Sequence, residues 1–160
     1  MARREPKVLN VGEVEPSKGT TYPPPFDRPC LQRAKAALGD LFGLNDFGVN
    51  WVSLPAGDWS AQRHWHSSED EFLFILSGSP TLVMDEGEKV LKPGDFVGFP
   101  AGVENGHHLK NLSDETAVYL EMGSRKPEAD ACHYPDIDLH LPAPQSAGRF
   151  KHKDGRPYDT

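Results

Sequence analysis

From Phe47 onward, apolar and polar positions alternate with a period of two: Val49, Trp51 and Ser53 fall on one side, Val52 and Leu54 on the other, and Pro55-Ala56-Gly57 ends the run. That period belongs to a strand and not to a helix. The same grammar recurs at 62–67, 71–77, 81–85, 88–91, 95–99, 107–111 and 116–122, with turn residues in every gap. Asp85-Glu86-Gly87-Glu88 suits a hairpin, and Lys92-Pro93-Gly94-Asp95 a turn with glycine where φ becomes positive. Such a series of short strands with no helix between them predicts an all-β antiparallel sandwich or barrel.

The flanks read differently. Pro6, Pro16, Pro23, Pro24, Pro25 and Pro29 exclude regular helix from most of the first 29 residues, which reads as an extended arm. Residues 30–44 stay open between helix and strand, because 33–38 have helix propensity while Gly39 and Gly43 interrupt it. After Gly123 come Pro127, Pro135, Pro142 and Pro144 and then a polar tail. The expected division is therefore an N-terminal arm packing on the barrel (1–46), a barrel core (47–123) and an irregular C-terminal extension (124–160).

The length of 160 residues fits one domain. A net charge of −7 argues against nucleic acid and acidic membranes as partners. With a mean hydropathy of −0.58 the sequence contains no apolar run of the roughly 18 residues that a membrane span needs. Arg3 and Arg4 are followed by Glu5 and Pro6, which is not a secretory signal, and two cysteines, Cys30 and Cys132, form no disulfide framework. A cytoplasmic protein with free thiols is expected. Within 71–77, Phe72, Phe74 and Leu76 alternate with Leu73 and Ile75, so the strand is apolar on both faces. The face turned away from the core needs a cover, either the arm or a second copy, and a homodimer is expected.

The chemistry is concentrated in the middle. His64 and His66 stand two apart on an expected strand, so their imidazoles project to one face, and Glu71 opens the next strand after a short connection. His107 and His108 open a later strand, and one of them can complete a His/His/Glu/His set. Adjacent strand residues point to opposite faces, so at most one of the two reaches the set. His107 shares its phase with Leu109 and Asn111 and is preferred, while a bulge at Gly106 would select His108 instead. Glu71 is preferred to Glu69 and Asp70 because it shares a face with Leu73 and Ile75. Gln62, in phase with His64, is a candidate substrate contact, Arg63 is expected at the surface, and Glu121 is a candidate general base if the face it shares with Tyr119 is inward.

With its glycines, Gly57, His64-Trp65-His66, Glu71 and Gly78 resemble the first signature of the cupin superfamily, and Gly94, Pro100-Ala101-Gly102, His107 and Asn111 resemble the second. One extra residue lies between Gly57 and His64, and two more lie before His107. The resemblance covers about half of the chain, from Phe47 to Met122. It implies a double-stranded β-helix, the cupin jelly roll, with one divalent transition metal bound by His64, His66, Glu71 and His107. Zn, Mn, Fe, Ni and Co are not distinguished by those ligands. Gln62-Arg63-His64-Trp65-His66, Phe99-Pro100-Ala101-Gly102, Gly106-His107-His108-Leu109 and Tyr134-Pro135-Asp136-Ile137-Asp138-Leu139 look like small single-domain cupins labelled sugar phosphate isomerases. Isomerase chemistry on a small polar substrate (a sugar phosphate, or a hydroxy or keto acid) is the first expectation. An Fe-dependent dioxygenase and a non-catalytic small-molecule-binding or sensor module remain the alternatives.

Overall fold

The computed structural model describes residues 6–145 and 149–158; Arg3, Arg4 and Glu5 lie outside them, as do parts of the C-terminal tail. The larger sheet has six antiparallel strands in the order β1 (Ser17–Lys18), β2 (Ala34–Ala37), β3 (Phe47–Leu54), β10 (Ala117–Ser124), β5 (Glu71–Ser77) and β8 (Phe96–Phe99). Opposite it run β7 (Gly87–Val90), β6 (Thr81–Met84) and β9 (His108–Lys110), and beside these β4 (Trp65–His66), β11 (Cys132–His133) and β12 (His140–Leu141). A bridge between His64 and His107 joins the two three-stranded groups. Strand alternation turns Val52, Leu54, Leu73, Ile75 and Tyr119 of the large sheet toward Leu82 and Leu109 of the other, and these side chains form one buried core. This is the jelly roll, with the metal-type residues at one end of the core.

Both flanks are built into the sheets. The arm adds β1 and β2 to the edge of β3, where Ala34 and Ala36 are buried. The open stretch 30–44 is both things: a strand at Ala34–Ala37, then a short helix α1 at Leu38–Phe42 that ends where Gly43 takes φ of 66°. A second aromatic cluster, with Cys132, Tyr134 and Leu139 buried at its centre, packs the C-terminal segment onto Tyr22 and Phe26 of the arm.

Arg63 departs from expectation. Its side chain is only 14% exposed. Nε and one terminal nitrogen donate to the two oxygens of Asp136 at 2.7 and 2.6 Å, and the other terminal nitrogen pairs with Asp85. Alternation alone would send this side chain to water, but a carboxylate from the C-terminal segment covers it. The strands of the arm join the far edge of the large sheet, and on the outer face of β5 and β8 Phe96 is 67% exposed. No helix among the described residues is long and apolar enough to cross a membrane.

Candidate metal centre

Glu71 begins β5 with its side chain turned inward, in phase with Leu73 and Ile75. Its Oε2 stands 3.9 Å from His64 Nε2, 3.5 Å from His66 Nε2 and 2.7 Å from His107 Nε2. Ligand atoms bound at about 2.1 Å to one ion lie about 3 to 3.5 Å from each other; His64, His66 and Glu71 come together closely enough to share a divalent cation, and His107 stands against the same carboxylate oxygen. The bridge between His64 and His107 and the proximity of β4 to the start of β5 set this geometry.

The second ring nitrogens of His64 and His66 orient these donors, while His107 Nδ1 is buried without a hydrogen-bond partner. His64 Nδ1 donates to the Gln62 carbonyl at 2.8 Å, and His66 Nδ1 donates to Asp130 Oδ2 at 2.6 Å, which turns both Nε2 atoms toward Glu71. The Phe99 ring lies flat on His107, with centroids 3.5 Å apart and planes 2° apart. Asp130 is fully buried; its Oδ1 accepts the Ser68 and Glu69 backbone N–H groups at 2.8 and 3.1 Å. Cys132 Sγ lies 3.4 Å from His66 Nδ1. Asp130 and Cys132 come from the C-terminal segment and do not emerge from the sequence pattern. An aspartate between two alanines gives no periodic signal that it is buried against a histidine.

Charge follows this geometry. Burial alone would raise the Glu71 carboxyl, but the hydrogen bond from His107 and the neighbouring imidazoles draw it down to about 2. Burial pushes His64 down to about 4, with His66 and His107 adding to the effect against the pull of Glu71. Burial also opposes charge on His66, yet its bond to Asp130 and the nearby Cys132 and Glu71 raise it to about 11.

The other singled-out residues sit apart from this cluster or beside it. His108 is turned away: its Nδ1 bonds the Ala61 carbonyl at 2.8 Å and its ring meets Trp59 edge-on. Lys110, in the same phase, lies over Trp59, so the aromatic covers a face that alternation alone assigns to water. Gln62 Nε2 donates to the Phe26 carbonyl at 2.7 Å and so fastens the arm. Glu121 points inward with Tyr119, its Oε2 accepts from Asn50 at 2.9 Å, and Lys35 is 3.9 Å away. It lines a polar crevice of about 300 Å³ that reaches Glu71 from one side. On another side Glu71, His66 and His107 open into a cavity of about 130 Å³ walled mainly by apolar groups, among them Trp65, Met84, Val97 and Phe99.

Comparison with known proteins gives the same frame. The family model described as "Cupin domain" matches residues 50–123. The chain is 36% identical to a solved sugar phosphate isomerase "from a cupin superfamily" of Silicibacter pomeroyi DSS-3, covering 96% of this chain and 98% of that one with a TM-score of 0.85. A Cupin 2 conserved barrel domain protein from Salinispora arenicola, 20% identical over 76% of this chain and 88% of that one, shares the fold with a TM-score of 0.54. Among curated proteins, a "Probable oxalate decarboxylase" of Arthroderma benhamiae is 32% identical over 65 residues, 38% of this chain and 16% of that protein. The match thus spans about a sixth of that relative's length.

Proposed function

Since the chain belongs to the cupin superfamily, we propose that His64, His66, Glu71 and His107 hold one divalent transition-metal ion and that the protein is a metal-dependent enzyme acting on a small molecule with adjacent oxygen functions. The observation that carries this reading is the convergence of three imidazole Nε2 atoms on Glu71 Oε2 within 3.9 Å. A bound ion supplies Lewis acidity that polarises a carbonyl beside a hydroxyl, as isomerisation requires. Asp130 and the Gln62 carbonyl keep His66 and His64 presenting Nε2, and Phe99 holds the ring plane of His107. Glu69 lines the apolar cavity beside the ligand set, with one oxygen accepting the Lys126 backbone N–H, and we assign it as the base that would take a proton from a substrate carbon. The isomerase direction is supported by the Silicibacter relative, similar over nearly the whole chain.

Metal content after purification without chelators tests the centre. One ion per wild-type chain is expected, with loss in Glu71→Gln and His107→Ala but retention in Glu69→Gln and His108→Ala. Equal metal in all four variants would refute the assignment. Turnover is read separately by deuterium exchange from D2O into hydroxy ketones with the metal-loaded protein, while O2 consumption would favour the dioxygenase reading.

A further inference from the structure

Resting on the metal reading above, we infer that the site takes a neutral, apolar-bodied chelator, a hydroxy ketone or enolised dicarbonyl, and not a phosphorylated sugar. The cavity that opens on His66, Glu71 and His107 carries the inference. A phosphate is recognised by guanidinium or ammonium groups, by a cluster of free backbone N–H donors, or by the N-terminus of a helix. Among the described residues, the wall of this cavity contains no lysine, no arginine and no helix. Its polar members outside the ligand set are Glu69, which repels an anion, Asn105, and the single neutral indole N–H of Trp65. The donor group of Asn105 is already spent on the two Glu86 oxygens at 2.9 and 2.8 Å.

The cations elsewhere around the centre have partners: Lys153, in a neighbouring pocket that shares Trp65 with this cavity, donates to the Pro135 carbonyl at 3.2 Å. Arg63 is enclosed by Asp85, Asp136 and the Gly106 carbonyl. In the polar crevice on the other side of Glu71, Arg125 is held by Asp40 and the Leu44 carbonyl, and Lys35 stands beside Glu121. That crevice also contains Glu69, so its acidic groups outnumber its basic ones. The apolar cavity instead offers ring and aliphatic surface from Trp65, Val97, Phe99 and Val103. A planar molecule whose two neighbouring oxygens meet the metal can lay its hydrocarbon edge there, and each apolar contact formed removes surface from water.

Binding to protein loaded with Co(II) distinguishes the two classes. The probes are maltol, a neutral hydroxy ketone, fructose 6-phosphate and inorganic phosphate, read by the cobalt absorption band and by tryptophan fluorescence. Maltol is expected to bind at least tenfold more tightly than fructose 6-phosphate, and the sugar phosphate no more tightly than inorganic phosphate. Val103 lies at the rim and is 50% exposed. Val103→Lys should therefore tighten fructose 6-phosphate severalfold and leave metal content unchanged. Wild-type protein that binds fructose 6-phosphate as tightly as maltol overturns the inference. One cobalt per chain with no response to maltol also overturns it and leaves the metal centre standing, whereas protein that takes up no cobalt overturns the metal reading itself.

Discussion

A carboxylate inside a barrel stays ionised only if its neighbours compensate for lost water, and Glu71 has that compensation in three imidazoles. One of them, His66, depends in turn on Asp130, whose carboxylate also ties down the Ser68 and Glu69 backbone. The link makes Asp130 a positioning residue for the proposed centre. Asp130→Asn keeps the size of the side chain but loses the charge-assisted acceptor, and metal affinity should fall by about 10- to 100-fold, as is usual when the partner of a ligating histidine is removed. Competition with a colorimetric chelator measures it. Unchanged affinity in a folded variant would mean that His66 is oriented by its strand alone.

Among the elements, β5 and β10 pair over their length with a register shift between Val118 and Tyr119, and Gly78 sits just beyond that irregularity. Its φ is 75°, and a Cβ added there would stand 2.6 Å from the Ala117 Cα. Backbone cannot move aside as a flexible side chain would. Gly78→Ala should therefore cost about 1 to 3 kcal/mol from strained φ and the close approach, seen as a lower urea midpoint. A midpoint equal to wild type would show that the β5 exit relaxes freely.

At the scale of the whole molecule, the outer face of the large sheet is apolar across four strands: the pairings set Trp51 beside Leu120, Leu120 beside Phe74 and Phe74 beside Phe96. The arm lies at the opposite edge, and a second copy is the cover we expect. Light scattering should give twice the 17.7 kDa of the chain, and Phe96→Asp should shift it toward monomer. A wild-type monomer at micromolar concentration ends this reading. Titration gives a second global expectation, for metal-free protein. His64 and His108 are both held near 4 by burial, against 6.5 ordinarily, so between these values the unfolded chain takes up protons that the folded chain refuses. Stability falls as pH falls through that window, by up to about 1.4 kcal/mol per pH unit for each histidine. His66, raised to about 11, is protonated in both states there and adds no slope; its contribution is lost only as pH rises above 6.5. Urea unfolding at pH 6.5 and pH 5 checks the sign, and equal or greater stability at pH 5 contradicts it.

By itself the sequence determined the central strands and the phase of His64, His66, Glu71 and His107, because strand alternation is a local property and glycines and prolines mark the turns between segments. The expected strand at 62–67 narrowed to Trp65–His66, since a strand extends only as far as a partner pairs with it. Local pattern could not choose between helix and strand at 30–44: the edge of β3 accepts Ala34–Ala37, and Gly39 then lets the short helix approach the backbone at Val49. Arg63 and Asp130 show the same limit for side chains. Their environments are made by Asp136 and His66, 73 and 64 residues away along the chain, and such long-range pairing leaves no periodic trace. Tertiary structure alone decided that the proline-rich ends complete both sheets, and that the cavity beside the histidines is apolar and lacks cations.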